Sequence, residues 1–277
     1  MPRENGRKSL LVSWAEIERM ASAAVVVDDC RRELATRSRN IVSEALADNP
    51  AAEWRHYPDG EVYDAKSHAQ YFYHTHPVTG RPLREHGHFH TFLRAEGMPV
   101  GAAPLILPEI AVADMPALPP QAPPIKRGTR EEVSHLVAIA VDSRGEPIRL
   151  FTTNRWVTGE TWYRADDVIR MVDRFAVTGV EPSEMLNRWV GATLRLFRPQ
   201  IAALLQMRDE NVMAWRRRHR TYVFEDPALE IISSVDISLE AQLAFLDRVR
   251  SGPFAQAPSR VPVLPAMADG WGEDHAG

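Results

Sequence analysis

Cysteine is nearly absent from the sequence, since Cys30 is the only one among 277 residues. One cysteine cannot form an internal disulfide, and within a predicted helix it is expected to be a small buried thiol. Long apolar runs are also missing, because charged residues interrupt the hydrophobic stretch near the N-terminus. Neither a secretory signal of roughly 7 to 15 apolar residues nor a membrane span of about 20 is predicted. We therefore expect a cytoplasmic protein without a membrane partner.

A strong charge of one sign is lacking as well. The formal net charge is −4 and both signs are interspersed, so no overall field would attract nucleic acid or an anionic membrane. The one dense basic run, WRRRHR at residues 215–220, ends a predicted helix, where the helix dipole favours cations. Because no interleaved aromatic residues or second basic stripe accompany this run, nucleic acid is not expected as a partner.

The patterns of apolar residues predict an α+β fold: a mostly antiparallel sheet of about five strands, with an N-terminal helix and C-terminal helices on one face. A continuous apolar run is typical of a strand buried on both faces, so residues 136–141 should lie in the middle of the sheet. The predicted strands occupy residues 53–64, with a turn at Pro58 to Gly60, and 68–77, 87–94, 134–142, 147–156 and 229–235. The predicted helices occupy residues 13–47, 165–177, 183–219 with a break near Pro199, and 239–249.

Three segments are expected along the chain. Residues 1–50 form an N-terminal helical segment, residues 51–250 a single α+β domain, and residues 251–277 a disordered tail. Within the domain, eight prolines fall in the stretch 98–128. Its apolar content is too high for a solvated tether, so the stretch is expected to be a lid wrapped over the body.

Five histidines within seventeen residues form the main functional signal, as YHTHP at His74 and His76 and EHGHFH at His86, His88 and His90. Alternate residues of a strand share one face and lie about 6.6 Å apart, so neighbouring imidazoles of a set can converge on one ion. The ends of the triple, about 13 Å apart, cannot. Whether the hairpin register sets His74 opposite His88 or opposite His90, His74, His76 and His88 stay together. We predict these three as metal ligands, with His90 or His86 as the fourth.

Phe72 and Phe92 share the histidine face by parity, which indicates that the face is partly buried. Clustered neutral imidazoles in such a place need a metal ion or hydrogen-bond partners. Nitrogen ligands suit one transition metal ion, zinc or iron first and copper or nickel next, rather than magnesium or calcium. A solvated polar face without any chemistry is the structural alternative.

Further residues are expected around the histidines. Glu85, His90 and His135 are the candidate catalytic or orienting residues, and Glu96, His56 and Tyr73 are further candidates to support the ligands. Loops at strand ends often bind ligands, and an arginine pair would anchor a carboxylate or phosphate, so a small anionic substrate is expected. The predicted substrate-binding residues are Arg94, Asn154, Arg155 and Trp156, although Trp156 would equally serve to pack its loop.

Two family resemblances accompany these residues. His88 and His90, followed by Glu96, resemble the His-x-His and glutamate signature of cupins, with one or two residues more before the glutamate; this would imply an oxygen-using or isomerising metal enzyme. The blocks HYPDGEVYD, YFYHTHP, EHGHFHTFLR and SHLVAIAVDSRGEPIRLFTTNRWVTGETW resemble an uncharacterised bacterial family, a domain of unknown function, over roughly residues 50–180. That resemblance implies no activity, but it implies a fixed set of partners for the histidines: Arg94, His135, Asn154, Arg155, Trp156 and Trp162.

The sequence thus predicts a metal-binding protein, as a hydrolase or oxidoreductase acting on a small anionic substrate. Two alternatives stay open. One is a metal-independent phosphoesterase or nuclease in which histidines act as general acid and base. The other is a non-catalytic protein that binds a metal or small ligand in a closed site.

Overall fold

A computed structural model of the chain describes residues 10–77, 82, 84–107, 132–252 and 261–263. Within these residues, six strands form one antiparallel sheet in the order β2-β3-β4-β5-β6-β7. Every strand therefore pairs with its neighbours in sequence, which makes the sheet a meander. The strands are β2 Tyr57–Tyr63, β3 Ala69–His74, β4 Gly87–Arg94, β5 Val133–Val141, β6 Pro147–Thr153 and β7 Ile231–Asp236. The predicted central strand is confirmed, because residues 136–141 of β5 are fully buried between β4 and β6.

The helices begin and end at recognisable signals. Ser13 caps the first helix by accepting a hydrogen bond from the Glu16 backbone N–H, as predicted. That helix ends earlier than expected, because Ser38 adopts a left-handed conformation and Asn40 then caps a separate short helix. The predicted break near Pro199 is confirmed at the boundary of two helices. The helices are α1 Trp14–Thr36, α2 Ile41–Ala45, α3 Arg155–Thr158, α4 Ala165–Val172, α5 Glu184–Leu196, α6 Arg198–His219 and α7 Leu239–Ser251.

The N-terminal and C-terminal helices cover one face of the sheet, which confirms the predicted α+β architecture. Tyr71, Tyr73 and Phe89 point to this face and share one hydrophobic core with Trp189 of α5. Strand residues alternate between faces, so the residues between them point the other way. The opposite face carries the histidines and their phenylalanine neighbours.

Strand β2 differs from its prediction. The segment with Pro58 and Gly60 does not turn the chain between two strands. It continues as one edge strand, whose pairing with β3 shifts register between Tyr57 and Val62. Gly60 and Glu61 have positive φ angles of 81° and 62°, which marks a local irregularity of the kind that a bulge creates.

The predicted lid and tail fall largely outside the described residues. Of the stretch 98–128, residues 98–107 are described, and Leu105 donates its backbone N–H to the Trp162 carbonyl at 2.8 Å. In the predicted disordered tail, Val261–Val263 forms a strand, β8, which pairs with Leu10–Val12 (β1). The remaining tail residues 253–260 and 264–277 lie outside the described part. No helix among the described residues combines the length and apolar character needed to cross a bilayer.

Candidate metal centre

The hairpin of β3 and β4 brings three histidines together on the face opposite the helices. In its register His74 lies opposite His88, and Phe72 lies opposite His90. His88 and His90 are alternate residues of β4, so their rings project from the same face. The ring centres of His74 and His88 are 4.5 Å apart, those of His88 and His90 4.9 Å, and those of His74 and His90 5.1 Å.

The ring nitrogens of these three histidines converge. One nitrogen from each of His74, His88 and His90 lies within 4.8 Å of the other two. The Nε2 atoms of His74 and His88 are 2.6 Å apart. Two lone pairs at this separation would repel each other, so one of the two nitrogens carries a proton and donates it to the other. His88 and His90 are buried and His74 is partly buried, so these nitrogens have limited access to water.

A carboxylate fixes the orientation of His88. The Nδ1 atom of His88 donates to Oε1 of Glu85 at 2.7 Å, and Nη2 of Arg149 donates to Oε2 at 2.6 Å. Burial raises the pKa of Glu85, but the hydrogen bond from His88 and the charge of Arg149 outweigh it and lower the pKa overall. Because an ionised carboxylate only accepts, the proton of His88 lies on Nδ1 and the lone pair of Nε2 points into the cluster. Outer partners of this kind commonly orient metal-binding histidines.

His90 has its own supporting chain. Its Nδ1 lies 2.9 Å from Nε2 of His135, and Nδ1 of His135 is 3.4 Å from the Thr153 hydroxyl. If His90 donates from Nδ1, its Nε2 is left with a lone pair for an ion. Behind His135, the buried carboxyl group of Glu160 accepts from the His135 backbone N–H at 2.7 Å.

The electrostatics of the cluster favour neutral imidazoles. Burial, together with His88, His76 and His56, lowers the pKa of His74 to about 2. Burial also lowers the pKa of His88, and it lowers that of His90 well below 6.5. Neutral imidazoles keep the lone pairs that a metal ion needs.

A cavity of about 420 Å³ opens beside the cluster. His74 and His90 form part of its wall, so the cavity adjoins the cluster. Phe72 and Phe92 line it with stacked rings whose centres are 5.7 Å apart. Arg94, predicted to bind substrate, also lines this cavity. Its other lining residues are His56, Glu61, Gln70, Val133, Val157 and Thr158.

The two remaining histidines of the motif lie at the edge of the cluster. Strand β3 ends at His74 and β4 begins at Gly87, so His76 and His86 do not continue the paired strands. The ring of His76 is 4.8 Å from that of His74 and 5.1 Å from that of His88, and the assignment of His76 as a ligand stays a prediction. His86 turns away and bonds the Tyr73 hydroxyl at 2.6 Å. The observed register, with His74 opposite His88, is the one in which His86 was predicted as the fourth histidine. The histidine that lies close to His74 and His88 is instead His90.

Three predicted substrate-binding residues contact the segment that connects α6 to β7. Asn154 caps α3 and donates to the Val223 carbonyl at 2.7 Å. Arg155 pairs with Glu225, and the Trp156 indole donates to the Leu229 carbonyl at 3.1 Å. Their role toward a substrate stays a prediction. Glu96, the glutamate of the cupin-like spacing, is exposed in the turn Ala95–Gly97 that follows β4.

Sequence reasoning missed Arg149 and Glu160. Arg149 lies on β6 two residues before Phe151, so period-two alternation places it on the histidine face if the strand pairing is known. Glu160 follows α3 in a loop, and no spacing in the sequence connects it with His135. The signal for Arg149 existed, whereas Glu160 had none.

Comparison with known proteins gives one family match. A family model described as "Domain of unknown function (DUF6969)" matches residues 21–237. The match is wider than the segment of roughly 50–180 that carries the sequence resemblance, and it includes the whole histidine cluster. No curated protein and no solved structure matches the chain.

Proposed function

We propose that this chain, which belongs to the DUF6969 family of unknown function, binds one transition metal ion in its histidine cluster and is a metalloenzyme. His74, His88 and His90 are the proposed ligands. Zinc or iron fits these nitrogen donors best, with copper and nickel as further candidates. The substrate is a small anion that occupies the adjoining cavity.

The metal assignment rests on one observation, the convergence of three ring nitrogens within 4.8 Å of one another. Two of these rings also have a hydrogen-bond partner outside the cluster, Glu85 for His88 and His135 for His90. A wet polar surface would need neither the Glu85–His88 hydrogen bond nor the His90–His135 contact. These contacts cost ordering entropy and desolvation, and outer partners of this kind orient histidines that bind a metal ion.

Three protein ligands leave a coordination position open for water or substrate, as in catalytic zinc sites. The open position is expected to face the cavity, because His74 and His90 contribute to its wall. An ion there would lower the pKa of bound water to about 7 or polarise a substrate oxygen. The identity of the metal then decides between hydrolysis and oxidation.

The metal-free alternative, in which histidines act as acid and base, fits the electrostatics less well. General acid catalysis works best with a pKa near the working pH. The lowered pKa of His74, about 2, keeps that ring unprotonated at neutral pH. A histidine of this kind is suited to donate a lone pair to an ion.

The non-catalytic alternative depends on His76. A fourth protein ligand would close the site, and His76 is near enough to His88 to be that ligand after a modest movement. With three ligands, His76→Ala should change metal affinity less than threefold, whereas His90→Ala should abolish stoichiometric binding. Equal losses in the two variants would favour a closed site.

The primary test is metal content, measured by mass spectrometry on protein purified without an affinity tag. We expect one equivalent of a transition metal in the wild type and none in His88→Ala. His219→Gln is the matched control, because His219 is exposed at the end of α6 and lies outside the cluster. Near-zero metal in the wild type, before and after incubation with zinc, would refute the proposal.

A second measurement tests the open position. Cobalt(II) can replace zinc as a visible reporter of coordination. We expect azide to change the visible spectrum of the cobalt-loaded protein, since an open position accepts an external anion. A spectrum that azide leaves unchanged would indicate that protein groups fill all positions.

A further inference from the structure

The cavity beside the histidine cluster extends along strand β4. His88, His90, Phe92 and Arg94 are alternate residues of this strand. From His90 to Arg94 the chain advances four residues, or about 13 Å at the usual rise. The cavity therefore runs from His74 and His90 at one end, past Phe92, to Arg94 at the other.

The middle of the cavity is a layer of aromatic rings. Phe72 and Phe92 stack with an angle of 25° between their planes, and His56 stacks on Phe72 with ring centres 3.7 Å apart. Val133 and Val157 add apolar walls. A flat ring would pack well on such a layer, because stacked aromatic surfaces contribute energy beyond the area they bury.

The far end is polar and held in place. Nε of Arg94 donates to Oε1 of Gln70 at 2.7 Å, and the Gln70 amide nitrogen donates to Glu61. Glu61 also contacts Nδ1 of His56 at 2.9 Å. Gln70 thus connects the guanidinium and the carboxylate along one wall. A doubly charged phosphate would meet repulsion from Glu61, whereas a carboxylate carries half that charge.

We infer that the ligand of this cavity is an aryl carboxylate, with its ring on Phe72 and Phe92 and its carboxylate on Arg94. This inference rests on the proposed function for its other end, where the reacting group of the molecule faces the metal. The volume of about 420 Å³ suits a small molecule of one ring and a short chain. Arg94 is then a specificity-determining residue, and the reaction takes place at the end of the molecule remote from the carboxylate.

The test uses 3-phenylpropionate and its primary amide as probes, with binding measured by calorimetry and ligand-observed NMR. The two molecules share ring and chain but differ in charge. We expect the wild type to bind the acid about tenfold or more tightly than the amide, since a charge-assisted hydrogen bond contributes that much. Arg94→Gln should remove this preference, while its affinity for the amide stays unchanged. Arg32→Gln, which removes an exposed arginine of α1, is the matched control.

The outcomes separate this inference from the proposed function, because metal content is measured on the same samples and binding is measured with and without zinc. If zinc binds but the wild type does not prefer the acid over the amide, or Arg94→Gln keeps that preference, the carboxylate assignment is wrong. Tighter binding of phenyl phosphate than of the acid to zinc-free protein would also overturn it. If zinc does not bind and the affinity for the acid still depends on Arg94, the metalloenzyme proposal fails. The assignment of Arg94 as the residue that binds the carboxylate is then retained. Because the comparison of acid with amide needs only the wild type, a poorly folded Arg94→Gln variant leaves the test decisive.

Discussion

Glu85 and His88 are three residues apart, and the carboxylate of Glu85 accepts a hydrogen bond of 2.7 Å from Nδ1 of His88. Glu85 lies just before β4 and His88 within it, so the start of the strand itself sets this contact. Arg149, from β6, holds the other carboxylate oxygen. The imidazole is thereby fixed in rotation and in tautomer before any ion arrives.

Replacement of this carboxylate tests its role. Glu85→Gln keeps an acceptor for His88 but removes the charge that makes the imidazole a stronger ligand and that pairs with Arg149. We expect the affinity for zinc to fall about 10- to 100-fold, the range for partners of metal-binding histidines. Competition with a chromophoric chelator measures it.

Glu96→Gln is the control for that experiment, because Glu96 is exposed in the turn after β4. It removes the same charge eight residues after His88. An unchanged zinc affinity in Glu85→Gln, or equal losses in the two variants, would show that Glu85 does not act through His88.

The β3–β4 hairpin was predictable, because its strands follow period-two patterns and its histidines have matching parity. The sequence left the register open between two pairings, and it did not show that the ring of His90 lies close to those of His74 and His88. Strand β3 is shorter than its pattern, so His76 leaves the paired region, whereas β4 spans the predicted residues 87–94 and His86 lies just before it. Strand ends depend on local turn chemistry, and part of the connecting loop lies outside the described residues.

The position of His135 shows another limit of pattern reasoning. Thr91 pairs with Val137 and Phe92 pairs with His135, so β5 has one extra residue, Leu136, at this point. By strict alternation His135 would share a face with Val137 and point to the helices. The bulge turns it to the histidine face, as bulges near functional sites often do. The sequence does not show where a strand bulges, and the same is true of the loop that brings Glu160 to His135.

Gly87 is predicted to be essential for the hairpin. A Cβ at this position would collide with the His74 carbonyl and the Tyr73 hydroxyl. Gly87→Ala should therefore destabilise the protein by about 2 kcal/mol or more and also weaken zinc binding, since the clash displaces His74. Urea unfolding and chelator competition measure the two effects.

Gly179→Ala is the matched control for Gly87→Ala. A Cβ at Gly179 meets no atom within 4 Å. The free energy of unfolding of this variant should therefore lie within about 1 kcal/mol of the wild-type value. If Gly87→Ala behaved like this control, the close approach of β3 and β4 at that point would be incorrect.

His135 should make the metal-free protein sensitive to acid. Burial, with the nearby charge of Arg208, lowers the pKa of His135 to about 3 from its ordinary 6.5. Below pH 6.5 the unfolded chain takes up a proton that the folded protein refuses, so stability falls as the pH drops toward 3. One such group contributes about 1.4 kcal/mol per pH unit.

Urea unfolding of metal-free protein at pH 6.5, 5.5 and 5.0 measures that slope. His135→Gln should lower the slope of the unfolding free energy against pH by about 1.4 kcal/mol per pH unit, which corresponds to about one proton. His219→Gln should leave this slope unchanged. A His135→Gln slope equal to that of the wild type would mean that His135 is protonated in the folded state.

Glu160 should act in the opposite direction. Burial raises its pKa to about 8, although Arg208 and the His135 backbone N–H oppose the rise. Between about pH 4.5 and 8 the folded protein holds a proton that the unfolded chain releases, so stability falls as the pH rises through this window. Glu160→Gln mimics the protonated carboxyl, keeps an acceptor for the His135 N–H, and cannot ionise. We therefore expect the variant to match the wild type near pH 5 and to exceed its free energy of unfolding by about 3 kcal/mol at pH 8. Glu210→Gln, on the exposed side of α6, should show no such divergence. A constant difference between Glu160→Gln and the wild type at both pH values would show that Glu160 is ionised in the fold, and that the carboxylate behind His135 carries a full negative charge.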